Sequence, residues 1–465
     1  MITMEEHVRK ELIQSFKKAV NLAKENDFYV DCNYLSKKET SIRKDQMNSD
    51  IGKDNDTGIK LRIWDGDKFL ESASSKFDEK TIMLLTEELI ELAKKSSITQ
   101  RKELKIDTKI IEKSVSFEEE TLDLEYITKT IETYNEKIKE LHEAIVNARG
   151  IVLQRVEEHI FVNQYKQVHQ KIPNSLLAMI GFIQTPNGES KMVYESYVSR
   201  TFQENLDKFN KELHHIKDKI EAMLKAKKLK GGKYKVLLAP HLTGLLAHES
   251  FGHGMEADTM LKNRALASKY LGKKIGKDFI NIVDYPALEG KHGEFYFDHD
   301  GQEAQKTYLV KNGVINTPMA DIYSKTNLDL EKSSNSRMEA FDHKNYTRMS
   351  NTYFEPGTKP WTELLESIED GILITDSRGG MEDPKGWGVQ IQGNFGQRIK
   401  NGKLIDEYYD GFTLTGFLPD IVGHIEDISK EFHIEGGGNC GKGHKEWVRV
   451  SEGGPYMLIN EVILG

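Results

Sequence analysis

Two histidines five residues apart set the tightest constraint on this chain. They lie in Ala247-His-Glu-Ser-Phe-Gly-His-Gly-Met-Glu-Ala-Asp258, with Glu249 directly after the first. Paired imidazoles are the usual nitrogen ligands for a divalent transition metal, and a carboxylate beside one of them is placed to handle the proton of an activated water. An α-helix turns about 100° per residue, so residues five apart sit about 140° apart around its axis. His248 and His253 would then face different ways. They can share one ion only if the helix carries a π-bulge or ends between them. Gly252 and Gly254 flank His253 and weaken a helix there. The reading therefore requires a break in regular helix close to His253.

Two nitrogens do not complete a catalytic zinc site, which takes three protein ligands and leaves one position open. The third donor should be Cys, His, Asp or Glu. Cys440, in Glu435-Gly-Gly-Gly-Asn-Cys-Gly-Lys-Gly443, is the best candidate, because the surrounding glycines let the backbone approach closely. Metal coordination would hold its thiol deprotonated. The same donors suit iron(II), so Zn2+ is preferred and Fe2+ is possible. Glu256 and Asp258 are candidates to orient a ligating imidazole through its free N–H. His241, two turns before His248, reads as a surface or supporting residue, and His424, His433 and His444 as structural or surface groups.

The rest of the chain supplies a frame. Residues 4–25 show helical periodicity through Val8, Leu12, Phe16, Ala19, Val20 and Ala23. Strands are expected at 28–35, 39–44, 58–64 and 68–73, and a helix at 79–95. A charged helix follows at 121–147. Strands at about 149–157, 159–168, 175–185 and 190–202 form an expected antiparallel meander, with breaks at Lys171–Asn174 and Pro186-Asn-Gly188. A helix at 203–228 leads to Gly231-Gly232, the expected boundary between an N-terminal α/β domain (1–229) and a C-terminal β-rich domain (230–465). Beyond it, a strand at 234–238 precedes a helix opened by Pro240. A Lys-rich helix is expected at 259–277 and another helix at 361–370. Hairpin turns are expected at Asp300-Gly301, Asn312-Gly313, Asn401-Gly402 and Asp410-Gly411. Residues 323–345 read as a mobile polar loop. The fold class is α+β: a helix-flanked N-terminal sheet, then a largely antiparallel C-terminal part that carries the metal-binding helix.

The acidic balance, 74 Asp and Glu against 65 Lys and Arg, argues against direct nucleic-acid binding. No apolar run reaches membrane-spanning length, and the first 28 residues lack a signal-peptide core. Two distant cysteines, Cys32 and Cys440, suit a reducing cytoplasm better than a disulfide scaffold.

His248-Glu249-x-x-x-His253 followed by Gly438-x-Cys440-Gly-Lys resembles the TldD subfamily of the TldD/PmbA metallopeptidases. Arg348-Met-Ser-Asn351, Asp376-Ser-Arg-Gly-Gly380 and Gly454-Pro455 extend the resemblance, and the N-terminal helix-flanked sheet, similar in length and order, carries it over nearly the whole chain. It implies that His248, His253 and Cys440 bind zinc and that Glu249 is catalytic. It further implies a dimer around an internal chamber, with a second copy or a non-catalytic PmbA/TldE-like subunit as partner. Substrate peptides would enter unfolded and pair along a sheet edge. Zinc would polarise the scissile carbonyl while Glu249 serves as general base. For the oxyanion donor, His444, Tyr408 and Arg348 are candidates that no spacing rule separates. Two other readings stand beside the peptidase: a regulatory or binding factor of the DNA gyrase modulator type with a closed structural metal, and an amidase acting on small substrates.

Overall fold

A computed structural model describes residues 6–98, 101–185, 188–331, 333–443 and 445–465. The expected turn at Pro186-Asn-Gly188 and the candidate His444 fall wholly or partly outside them.

The first part of the chain runs α1 (Glu6–Glu25), β1 (Val30–Lys44), β2 (Ser49–Trp64), β3 (Phe69–Ser74), α2 (Glu79–Lys94), β4 (Ile111–Ser116), α3 (Leu124–Glu140), β5 (Ile145–Val162), β6 (Lys166–Gln184), β7 (Ser190–Ser199) and α4 (Phe202–Lys225). The strands make one sheet in the order β3-β2-β1-β5-β6-β4, with β7 also on β6. All its pairings are antiparallel except β4 with β6. The apolar stripe of α1 (Leu12, Phe16, Ala19, Val20, Ala23) and that of α2 bury against alternate residues of β1 and β2. The helices α3 and α4 pack with β5, β6 and β7 in a separate core.

Several strand limits differ from the sequence expectation. β1 is one strand, not two, because Ser36–Thr40 pair on both sides, with β2 and β5. The polar run that reads as a break is a strand centre. β5 likewise absorbs the expected gap near residue 158 and takes over the last turn of the expected 121–147 helix, so the meander has three long strands. Lys171–Asn174 is no turn. Pro173 sits inside β6, opposite Val156, at the point on the outer edge where β4 has ended and β7 has not begun. Proline is tolerated where no neighbouring strand requires its missing N–H.

The second part runs β8 (Lys227–Lys228), β9 (Gly232–Leu238), α5 (Pro240–Leu246), α6 (Ala257–Leu261), β10 (Ile282–Asp284), β11 (Thr307–Lys311), β12 (Val314–Ile315), α7 (Ile322–Leu328), β13 (Ser336–Arg337), β14 (Tyr346–Thr347), β15 (Asn351–Phe354), α8 (Trp361–Glu366), β16 (Asp370–Asp383), β17 (Gly388–Lys400), β18 (Lys403–Asp410), β19 (Phe412–Phe417), α9 (Leu418–Gly423), β20 (Ile425–Cys440) and β21 (Val448–Leu464). Its main sheet is β12-β11-β10-β15-β21-β9-β16-β17-β18-β8, with β20 on β21. Because β19 pairs with both β17 and β21, the pairings β21-β9-β16-β17-β19 close into a circuit. The largest apolar core fills this part, around α5. The fold is α+β, as expected.

Asn312-Gly313 and Asn401-Gly402 have positive φ at both residues, the backbone of a two-residue hairpin turn. Asp300-Gly301 is also a turn, closed by Asp298 N–H to the Gln302 carbonyl at 3.0 Å. Asp410-Gly411 is not a hairpin: β18 and β19 lie end to end along the same strand, β17. The expected helix at 259–277 is broken into α6 and a short 3₁₀ turn (Leu266–Lys269), with Asn263 and Gly272 at positive φ. The expected 361–370 helix ends at Glu366. Residues 323–345 are not a free loop. They hold α7 and β13, and Ser333, Ser334, Asn335, Ser336 and Arg337 are buried. Internal partners replace water there: Asn335 donates to Asp284 at 2.7 Å, and Arg337 donates to the carbonyls of Met349 and Arg449 at 2.7 and 2.6 Å. Among the described residues no helix is long and apolar enough to cross a membrane.

Candidate metal centre

The segment carrying the histidines starts at Ala239, where β9 ends and Pro240 opens α5 at a position where a missing N–H costs nothing. α5 is buried nearly all round. It lies against β21 so closely that a Cβ on Gly244 would meet the backbone nitrogen of Gly453 at 2.3 Å. After about two turns the helix changes. Ala247–Gly252 is a π-helical turn, followed by a 3₁₀ turn at His253–Met255. His253 N–H donates to the carbonyl of His248, five residues back. The break required by the spacing is present, as a bulge and then an end. Gly252 lets this turn pack directly on Met349: a Cβ there would fall 1.8 Å from Met349 Sδ.

The widened turn brings the two imidazoles to one side, with ring centroids 5.3 Å apart and planes at 86°. Cys440, the last residue of β20, reaches them from across the core. Its Sγ lies 3.2 Å from His253 Nε2. One ligand atom from each of His248, His253 and Cys440 falls within 4.8 Å of the others. Buried Arg348 fixes this end of β20. It donates to the Cys440 carbonyl at 2.7 Å and also to the Glu446 carbonyl. Arg348 is thus turned into the protein, which argues against it as an oxyanion donor. Tyr408 stacks on Phe395 and does not line the cleft.

Charge around the three donors is arranged for a thiolate. Burial opposes ionisation of Cys440, but His253 and His248 outweigh it and hold the thiol well below its ordinary range. Burial alone would lower both histidines; Cys440 and nearby carboxylates reverse this, bringing His248 to about 9 and holding His253 well above its ordinary value. Glu452 Oε2 stands 3.6 Å from His248 Nδ1, an ion-pair distance too long for a hydrogen bond, and that nitrogen is otherwise unpartnered. On the other side, Glu256 Oε2 lies 3.7 Å from His253 Nδ1 and 3.1 Å from Lys442 Nζ. Burial would raise Glu256, but Lys442, His253 and Arg348 hold it at about 2. Asp258 pairs with Lys442 at 2.6 Å and does not reach an imidazole. His241 lies 3.3 Å from Ser377 Oγ and stays outside the ligand group.

Glu249 projects over Gly380, where a Cβ would meet its Cγ at 2.6 Å. Its carboxylate, one nitrogen of His253 and the carboxylate of Glu382 form a second convergent group within 4.8 Å. Burial, reinforced by Glu249 and opposed by His253, pushes Glu382 up to about 7. Glu382 and Glu452 are not singled out by sequence. Each is one acidic residue among 74 Asp and Glu, and the only signal is a nearby glycine pair, Gly379-Gly380 before Glu382 and Gly453-Gly454 after Glu452.

All of this opens onto a cleft of about 550 Å³ lined by His248, Glu249, His253, Glu382, Cys440 and Trp447, among others. Two imidazoles and a sulfur, with the thiol biased toward thiolate, fit a borderline ion such as zinc or iron(II).

Comparison with known proteins follows the same lines. Residues 231–465 match the model of the PmbA/TldA metallopeptidase C-terminal domain. A metalloprotease of Methanocaldococcus jannaschii is 30% identical over 329 residues, covering 70% of each chain. A zinc metalloprotease TldD homolog of Saccharolobus solfataricus is 32% identical over 257 residues, 55% of this chain and 57% of its own length. In fold, the chain is similar to TldE from Thermococcus kodakarensis, with a TM-score of 0.71 at 12% identity, covering 97% of this chain and all of the other.

Proposed function

The chain belongs to the PmbA/TldD family of metallopeptidases, and from that membership we propose that it is a zinc-dependent peptidase whose ligands are His248, His253 and Cys440 and whose general base is Glu249. The observation that carries the reading is the meeting of these three donors beside Glu249 in an open cleft. A closed structural site would instead surround the ion with four protein ligands.

A zinc ion bound there supplies Lewis acidity, lowering the pKa of a water and polarising the scissile carbonyl. Glu249 takes the proton of the water as its oxygen attacks the carbonyl carbon, then delivers it to the departing amine as the C–N bond breaks. Glu256 and Glu452 orient the two imidazoles from behind, and Arg348 holds the backbone that aims Cys440. The cleft suits an extended peptide. β9 pairs with β16 only at Ile372–Ile374, so among the described residues no strand covers that edge of β16 from Asp376 to Asp383, beside Glu249. Main-chain pairing there would give weak sequence preference. The partner in this reading is a second copy or a TldE-like subunit, and the cleft-lining residues come from the proposed C-terminal unit, 230–465.

The test is bound metal and peptide cleavage for the wild type, Glu249→Ala and Cys440→Ala. Glu249→Ala should keep its metal and lose cleavage; Cys440→Ala should lose both. Normal cleavage by Glu249→Ala would overturn the mechanism.

A further inference from the structure

A second cluster of metal-type donors lies away from the cleft. Glu339, His343 and Glu446 each offer one ligand atom within 4.8 Å of the others. His343 Nδ1 is 3.1 Å from Glu446 Oε2 and 3.5 Å from Glu339 Oε2. Two carboxylates thus converge on one ring nitrogen, which can donate one hydrogen. Among the described residues the Glu339 carboxylate has no other ion pair or hydrogen bond. Glu446 is nine-tenths buried. Donors held about 2.0–2.2 Å from one ion stand about 2.8–3.6 Å apart, whether the shell is octahedral or tetrahedral. Both measured separations fall in that range.

The surroundings hold these donors in place. Residues 338–343 rest on the first sheet: Lys37 donates to the carbonyls of Met338 and Glu339, Lys60 donates to that of His343, and Phe341 covers Gly58. Glu446 comes from the segment that follows Cys440, and Arg348 grips the carbonyls of both residues. The cluster therefore joins the segment leaving the ligand Cys440 to a support on the N-terminal sheet.

We propose that Glu339, His343 and Glu446 form a second divalent-metal site, separate from the His248–His253–Cys440 group, that pins the segment after Cys440 to residues 339–343. One imidazole with two carboxylates favours a transition ion such as zinc, manganese or cobalt over calcium or magnesium.

Cobalt separates the two sites, because only Cys440 can give thiolate-to-cobalt charge-transfer absorption. Metal-free full-length protein is dialysed against Co2+, and bound cobalt and absorption are read together. The wild type should bind two ions, one with the thiolate band. Glu339→Gln and His343→Gln should each bind one and keep the band. Cys440→Ala should bind one and lose it. The retained band also shows that the first two variants are folded around Cys440. A wild type that binds one ion overturns the proposal, as do Glu339→Gln and His343→Gln variants that bind as much cobalt as the wild type. Loss of both ions in Glu339→Gln contradicts it too, since the two sites would then not be separate.

Discussion

His253 donates its backbone N–H to the carbonyl of His248. This one i→i−5 bond turns an unsuitable α-helical spacing into a pair of imidazoles facing the same point. Next to this bond, the missing side chain of Gly252 leaves room for Met349 Sδ. Gly252→Ala should therefore destabilise the protein by about 1–3 kcal/mol or more, as overpacking of a closed core does, and lower its metal content. Gly438→Ala lies only two residues from Cys440 but meets nothing within 4 Å. It should change stability by less than about 0.5 kcal/mol. Denaturant midpoints and metal analysis of the two variants check the contrast.

Arg348 is fully buried and serves two carbonyls and the Glu256 carboxylate, 3.4 Å from its Nε. Arg348→Met leaves that carboxylate to Lys442 and His253 and frees the backbone of Cys440. A loss of about 3–5 kcal/mol is expected for breaking a buried pair from one side. Metal affinity should fall with it, although no ligand is changed. Unfolding curves and competition with a chromogenic chelator measure the two effects.

Three buried histidines give the stability a defined response to acid. Burial holds His159 down at about 3, and His292 and His299 well below their ordinary value. His159 Nε2 lies 2.9 Å from Asn33 Oδ1, and its ring meets that of His299 edge to face. In the unfolded chain a histidine takes up a proton near pH 6.5, and folded His159 refuses it until about pH 3. The unfolded state therefore binds more protons across that window, and stability falls as pH falls through it. Each such group contributes up to about 1.4 kcal/mol per pH unit. His159→Gln removes one of them. The stability advantage of the wild type over this variant should shrink by about 2 kcal/mol between pH 6.5 and pH 5. An advantage constant with pH would contradict the burial of a neutral His159.

Metal should stabilise the fold by mass action. Zinc at 1,000 times its dissociation constant adds about 4 kcal/mol to the native state. Thermal unfolding of metal-free protein should move up on adding zinc, and Cys440→Ala should show a clearly smaller shift.

Much of the site is legible in the amino-acid sequence. The five-residue spacing, its flanking glycines and a glycine-set cysteine contain the demand for a π turn and a distant third donor. Pro240 marks the start of the helix, and the two Asn-Gly pairs mark hairpins, because those residues act through local backbone preference. What is not legible depends on neighbours far away along the chain. Ser36–Lys38 look like a break between strands until β2 and β5 cover both edges. Ser333–Arg337 look mobile until Asp284, Met349 and Arg449 satisfy their polar atoms. The Lys-rich stretch after Asp258 has helical composition but breaks at Asn263. Glu382 and Glu452 come to the histidines only through the closure of β16 and β21 around α5.

The most direct test is X-ray absorption at the zinc edge, in a His343→Gln background that removes the second cluster and carries one zinc per chain. The first shell should contain one sulfur at about 2.3 Å and two imidazole nitrogens at about 2.0–2.1 Å, and the sulfur should vanish in Cys440→Ala. A shell of nitrogen and oxygen alone, unchanged by Cys440→Ala, would contradict the account.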